Sequence, residues 1–313
     1  MKRIQLVVLL LVVGFLACPT GQKVLLKMNF KEGKHYGILM TTAQVISQEV
    51  QGQKMEINQT VKMGFDLDVI KVDPAGDARI KVTYKRTAFK MSSPMIGSFE
   101  YDSQDPPAEV PPVAVGYAAL LDKNFSMIIT PAGKVKKVEG LSAMFDEVIK
   151  EIEIPKEAEA MKKQIVDGLK KQFGDEAITE MLNRTFNILP QDSITVGGSW
   201  TRTTKLSTMY PMVVETKYTL RSVKETDADL LITATVKPNP DAQPMTLGVM
   251  TMEYEFSGTM DGELVLDLES GLTKSGSINQ VFTGKMKISG APGSEKPTEV
   301  PINIKGTTSF EPL

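Results

Sequence analysis

The segment Ile57 to Val69 constrains the fold more than any other. Ile57, Val61, Met63, Phe65, Leu67 and Val69 fall on one face, interrupted only by Gln59. Asn58, Thr60, Lys62, Gly64, Asp66 and Asp68 take the other. Successive side chains of a strand point to opposite faces, so alternation this long specifies an extended, half-buried strand. Gln51-Gly52-Gln53-Lys54 reads as the turn from a preceding strand over roughly His35 to Val50. Pro74-Ala75-Gly76-Asp77 turns the chain into another, carrying Ile80, Val82 and Tyr84. Long strands joined by tight turns predict an antiparallel meander.

The stretch from Asp102 to Pro112 is acidic and contains Pro106, Pro107, Pro111 and Pro112, so it is a loop or crossover outside any sheet. A short helix over Val113 to Leu121, then Phe125 to Thr130, a Pro131-Ala132-Gly133 turn and Lys134 to Glu139 complete the first block. At Gly140 the period changes. Leu141, Met144, Phe145, Val148 and Ile152 take helical spacing, and Pro155 ends that run. Met161, Ile165, Leu169 and Phe173 stripe a second helix from Lys156, and Ile178, Met181, Leu182, Thr185, Phe186 and Leu189 continue to Pro190.

Alternation resumes from Ser193, with Met252, Tyr254 and Phe256, then Leu264, Leu266 and Leu268, on single faces. Ile278, Phe282, Met286 and Ile288 share another, as do Val300, Ile302, Ile304 and Phe310. The expected fold is α+β, predominantly antiparallel β: curved long-stranded sheets with amphipathic helices of about 141–189 packed on them, because such helices need an apolar surface. The expected division is a β block over 22–139, a helical block over 140–190 and a β block over 191–313, as one unit or two closely packed lobes.

Before these blocks lies a leader. Lys2 and Arg3 precede the uncharged run Ile4 to Ala17, too short for a transmembrane helix and suited to a signal peptide over 1–17. Gly14-Phe15-Leu16-Ala17-Cys18 resembles a bacterial lipobox, although Phe15 and Leu16 depart from its usual residues. On that reading Cys18 is the first mature residue and carries the acyl anchor to a membrane. Pro19, not Asp, follows it, which favours the outer membrane or periplasmic side over inner-membrane retention. A discarded leader, giving a periplasmic or secreted protein, is the alternative.

Composition excludes much chemistry. With 36 Lys+Arg against 38 Asp+Glu there is no basic excess for nucleic acid. One His and one Cys exclude a Cys/His zinc cluster and an internal disulfide. His35 lacks a nominated nucleophile or orienting acid, no G-x-S-x-G elbow accompanies any Ser, and a partly exposed strand residue is its simpler reading. Asp66/Asp68, Asp261/Glu263 and Asp267/Glu269 each share a strand face, but that face opposes the apolar one and is wet. Asp73-Pro74-Ala75-Gly76-Asp77 lacks the ligand spacing of a calcium loop. The pairs Met91/Met95, Met209/Met212 and Met250/Met252 offer soft ligands for copper(I), yet Met63, Met144, Met161 and Met181 lie on apolar faces as core filler. No metal or cofactor is expected.

That methionine usage points elsewhere. Aromatics are only 6% of the chain, while Met, Val, Ile and Leu line the apolar faces. A flexible aliphatic cavity suits acyl chains, although an ordinary core is the simpler account of the same side chains. Candidate lining residues are Met63 and Phe65 from the sheet, with Met144, Phe145, Val148, Met161 and Ile165 from the helices.

Three local patterns occur together. Phe125-Ser126-Met127-Ile128-Ile129-Thr130-Pro131-Ala132-Gly133-Lys134-Val135 closes with Val138-Glu139-Gly140 and a helix. Leu189-Pro190 is followed by Val196-Gly197-Gly198-Ser199-Trp200, and later comes Leu266-Asp267-Leu268-Glu269-Ser270-Gly271-Leu272. In that order, behind a lipoprotein-like leader, they resemble an uncharacterised family of exported bacterial proteins, domain-of-unknown-function family 6263. The resemblance covers most of the chain after the leader and implies location but no site residues. The expected function is a non-catalytic envelope lipoprotein holding a hydrophobic or acylated ligand in a helix-capped sheet. The alternatives are a surface scaffold for an envelope protein and, third, a carboxylate-based hydrolase.

Overall fold

The computed structural model describes residues 21, 23–50, 52–95, 97–151, 175–206, 211–242, 244–247, 250–290 and 297–313. The first strands are β1 (His35–Val50), β2 (Gln53–Val72), β3 (Ala78–Ser93), β4 (Gly97–Asp102), β5 (Asn124–Ile129) and β6 (Val135–Glu139). The later ones are β7 (Ser199–Leu206), β8 (Met212–Lys224), β9 (Asp227–Pro238), β10 (Met245–Leu247), β11 (Met250–Asp267), β12 (Thr273–Ser289) and β13 (Thr298–Glu311). All join one antiparallel sheet, ordered β6-β5-β3-β2-β1-β13-β12-β11-β9-β8-β7, with β4 beside β3 and β10 beside β11. The alternation of Ile57 to Val69 is realised in β2, where Ile57 faces Ile46 and Met63 faces Met40 across β1.

The two β blocks are joined by a strand pairing and by an isolated bridge between Val24 and Ile194. Residues Leu39 to Gln48 of β1 pair with Glu311 to Ile302 of β13, so the first strand of the sheet hydrogen-bonds to the last in the chain. Glycines on the inner face let neighbouring strands approach closely. A Cβ at Gly258 would lie 2.1 Å from the Val281 carbonyl oxygen, and one at Gly284 would lie 1.9 Å from that of Glu255. Phe282 and Phe256 cover these gaps from the neighbouring strand.

The curling brings the two edges of the sheet to a common core. Ile80, Phe125, Met127, Ile129 and Val135 from one side share a buried cluster with Leu220, Leu230, Ile232, Leu264 and Leu266 from the other. Turns after β2, β5, β8 and β11 gather at this closed end. The segment before β1 crosses it: Leu26, Met28 and Phe30 are buried, and the Met28 and Asn29 amides donate to the carbonyls of Pro131 and Ser270.

The expected α+β fold with a helical block laid over the sheet is not what forms. The fold is nearly all antiparallel β. The described helices are α1 (Val115–Leu120), α2 (Leu141–Glu151) and α3 (Asp175–Phe186). Among the described residues α2 meets β5, and α3 meets β6 and β7. These described helices fill the seam between the sheet's two edges instead of covering the sheet, because the sheet supplies most of its own apolar partner by rolling up. The expected second helix, with its stripe from Met161 to Phe173, lies outside the described residues.

Seam chemistry follows from the unpaired backbone at sheet edges. The Asn183 side chain accepts from the Val135 amide at 2.8 Å and donates to the Val135 carbonyl at 3.1 Å, filling the place of a neighbouring strand residue. On the facing edge, Trp200 Nε1 donates to the Ile188 carbonyl at 2.7 Å and Arg202 donates to that of Leu189. Trp200 also stacks on Tyr218 with ring centroids 5.5 Å apart.

Candidate functional site

Alternation along each strand divides the sheet into an inner and an outer face. The inner positions run Tyr36 to Gln48 on β1, Met55 to Val69 on β2, Met252 to Leu266 on β11, Gly276 to Ile288 on β12 and Val300 to Phe310 on β13, taking every second residue. None of these positions carries a charge. The outer positions carry many. Arg221 holds Glu263 through two hydrogen bonds of 2.5 and 2.9 Å, and Lys285 reaches Glu299 at 3.0 Å and Glu255 at 3.8 Å.

Burial along the inner face is uneven. At the closed end Leu220, Leu230 and Leu266 are 0 to 1% exposed. Farther along, Met40, Met55, Ile57, Met63, Met260, Phe282, Met286 and Ile288 stay half-buried. Three smaller clusters stand beyond the main core: one at Phe256, Val300 and Ile302, one at Met212, Val214 and Val236, and one at Phe89, Tyr101 and Ala114 beside α1. The inner wall between them is largely apolar and rich in methionine.

A polar girdle crosses this wall. Successive cross-strand partners form the row Met260, Gln280, Gly306, Gln44, Gln59 and Met91. Gln44 Nε2 donates to Gln59 Oε1 at 2.8 Å, and the hydroxyls of neighbouring Thr42 and Thr308 lie 3.1 Å apart. On one side of the girdle the next inner row is Phe282, Ile304, Ile46 and Ile57. Past the threonines on the other side come Phe310, Met40 and Met63.

Of the described residues expected to line a cavity, Phe65, Met144 and Phe145 share the closed-end core. Met63 and Phe65 stand on the inner face of β2, Phe65 against Tyr84 with centroids 5.1 Å apart. Burial pushes the Tyr84 hydroxyl up to about 12. Met144 and Val148 of α2 are buried and Phe145 half-buried, with Met144 and Phe145 in the closed-end core. Phe65 packs against that same core while Met63 stays half-buried farther along the wall, and Met161, Ile165 and Cys18 lie outside the described residues. The segment Leu26 to Phe30 and the amide girdle were missed. Leu26, Met28 and Phe30 alternate with Lys27, Asn29 and Lys31, a signal that was available. For the girdle the signal was Gln59, which interrupts the apolar face of β2.

The carboxylate pairs all serve the outer surface or a turn. Asp68 accepts from His35 Nδ1 at 2.9 Å and Asp66 lies 3.4 Å from its Nε2; the Asp68 hydrogen bond raises the imidazole pKa, offset in part by burial. Asp267 anchors the β11–β12 turn, accepting from the Ser270 amide at 2.9 Å and its hydroxyl at 2.5 Å. Burial works to raise that carboxyl, but the Ser270 bonds, the Glu269 amide and the Lys274 charge together leave the pKa lowered. Glu269 pairs with Lys31 at 2.7 Å. Of the methionine pairs, Met95 is 64% exposed while Met91 lies half-buried on the inner face. Met209 and the Met250 side chain lie outside the described residues.

These features define a class: a single antiparallel sheet rolled onto itself, with an uncharged inner wall and a charged outer surface. A family model described as a family of unknown function, DUF6263, matches residues 75–273, and the chain belongs to that family. No curated protein sequence matches it.

Among solved structures the chain is similar to lipovitellin, from a study of lipid–protein interactions, at 9% identity and TM-score 0.48, covering 91% of this chain and 25% of that one. It thus spans about a quarter of the lipovitellin chain. An outer-membrane channel of Pseudomonas putida F1 is similar at 7% identity and TM-score 0.24, covering 91% of this chain and 97% of the channel. DynF, from dynemicin biosynthesis in Micromonospora chersina, gives 5% identity and TM-score 0.21, covering 94% and 86%. No ligand follows from likeness at this level. A membrane-spanning barrel presents an apolar band outward, and here the outward residues of β11 to β13 include Glu253, Glu255, Asp261, Glu263, Lys285, Lys287 and Lys305. No described helix is long and apolar enough to cross a membrane.

Proposed function

We propose that this protein is a non-catalytic carrier or receptor of the bacterial envelope that holds an acyl-bearing ligand along the inner wall of its sheet. The observation that carries the reading is the wall itself: inner positions on five long strands, none charged, with methionines and β-branched residues left half-buried. Contiguous apolar surface of this extent is costly to leave in water and marks a binding region. Met side chains adapt to chains of differing length and unsaturation. In the same reading, the leader is removed at Cys18 and the acylated cysteine tethers the protein to a membrane. Cys18 precedes Lys23, at the closed end, by five positions. A tether that short spans about 17 Å when extended, so the closed end is held nearest the membrane.

Native mass spectrometry tests the ligand. The chain from Gln22 onward, purified without detergent and incubated with a bacterial lipid extract, is expected to retain mass in the lipid range that is released on denaturation. Ile57→Glu, which places a charge on the wall, should abolish retention, while Leu231→Glu on the exposed outer face should not. A bare chain after incubation ends the carrier reading.

A further inference from the structure

Resting on that reading, we infer that the girdle of Gln44, Gln59 and Gln280 selects the ligand's head, and that this head is uncharged: an ester of an acyl chain and not a free carboxylate. Three observations support this. The girdle is built of primary amides flanked by the Thr42 and Thr308 hydroxyls, groups that both donate and accept. Apolar rows lie on both sides of it, Phe282, Ile304, Ile46 and Ile57 on one and Phe310, Met40 and Met63 on the other. An ester linking acyl chain to glycerol has that same order, hydrogen-bonding atoms beside hydrocarbon.

The third observation concerns charge. A carboxylate moved from water to this wall would need a cation to offset its lost hydration. None of the inner positions on β1, β2, β11, β12 or β13 supplies one. Arg202 faces inward on β7, but β7 is four strands from β12, roughly 19 Å along the sheet, and its guanidinium already donates to Leu189. Lys62, Lys285, Lys287 and Lys305 belong to the outer face. Gly306 sits between Gln280 and Gln44 in the row, and a Cβ there would come within 3.3 Å of Gln280 Nε2. The glycine leaves the amides room to turn toward a ligand carbonyl.

The test compares 1-monooleoylglycerol with oleate, each incubated with the chain from Gln22 onward and quantified after gel filtration. At pH 8 the ester should be retained at least tenfold better than oleate. Oleate retention should rise as pH falls toward 5, when the acid takes up its proton. The triple variant Gln44→Leu, Gln59→Leu, Gln280→Leu keeps the wall apolar and should lower that preference to within threefold, with its folding checked by circular dichroism. The single variants Gln44→Leu and Gln280→Leu, expected to lower it partway, keep the comparison available if the triple variant is unfolded. Equal retention of both lipids at pH 8, or an unaltered preference in the folded variants, overturns the inference while leaving the carrier reading in place. Retention of neither lipid overturns both.

Discussion

The closed end and the inner wall arise from one sequence pattern and reach different states. Leu230 of β9 and Ile57 of β2 both occupy inward apolar positions of their strands, yet Leu230 is 1% exposed and Ile57 remains half-buried. At the closed end β3, β5 and β6 roll against β8, β9 and β11, the Leu26 to Phe30 segment crosses beneath them, and α2 and α3 fill the seam. Among the described residues, no facing layer completes the packing around Met40, Ile57 and Met63, which stay half-buried along the wall. Alternation decides which face a residue joins; curvature decides whether that face is buried. A sheet built this way concentrates its tight packing at the closed end, so the inner wall should tolerate change with a smaller effect on stability.

The largest expected effect tests that separation. Leu266→Ala at the closed end should cost about 3 kcal/mol in urea unfolding, from lost burial and the cavity left behind. Ile57→Ala on the wall should cost about 1 kcal/mol, since its side chain is already partly hydrated. Equal costs would mean that the wall is part of the core. A second effect concerns how the closed end is sealed. Asn183→Ala leaves the amide and carbonyl of buried Val135 without partners, a cost of about 2 kcal/mol. Hydrogen exchange should show Val135 losing protection while the β11–β12 pairs keep theirs; uniform loss would show that the seam and the rest of the sheet open together.

The smallest effect is electrostatic. The hydrogen bond to Asp68 raises the His35 pKa above its ordinary value, so the contribution to stability is complete below that ordinary value and is lost as pH rises through the raised one. His35 is 54% exposed, and the effect should not exceed about 1 °C in Tm. The Tm advantage of the wild type over His35→Gln should therefore be present at pH 5 and gone by pH 8.5. An advantage independent of pH would assign His35 a packing role at the closed end.

Much of this architecture was legible in the residues. The alternation of Ile57 to Val69, the turns at Gly52 and Gly76, and the helix start after Gly140 all appear where the pattern places them. The helical stripe of Leu141 to Val148 was legible as a stripe, but its periodicity names no partner. The expectation laid it over the sheet, whereas α2 packs beside β5 at the seam. The girdle was less legible: Gln59 stood out as an exception in one strand, and only the register placed it beside Gln44 and in one row with Gln280.

By itself, then, the sequence determined which residues share a face, because side-chain direction along a strand is a local property of the backbone. It likewise determined that the inner positions of β1, β2, β11, β12 and β13 would be free of charge. The tertiary structure alone decided that β1 pairs with β13, that the sheet rolls until its edges share a core, and that the wall beyond stays half-buried. Those outcomes depend on contacts between residues more than 250 positions apart, as in Thr42 with Thr308, and on the close strand approach that Gly258 and Gly284 permit. No local pattern encodes such pairings; they are selected by the free energy of the assembled sheet.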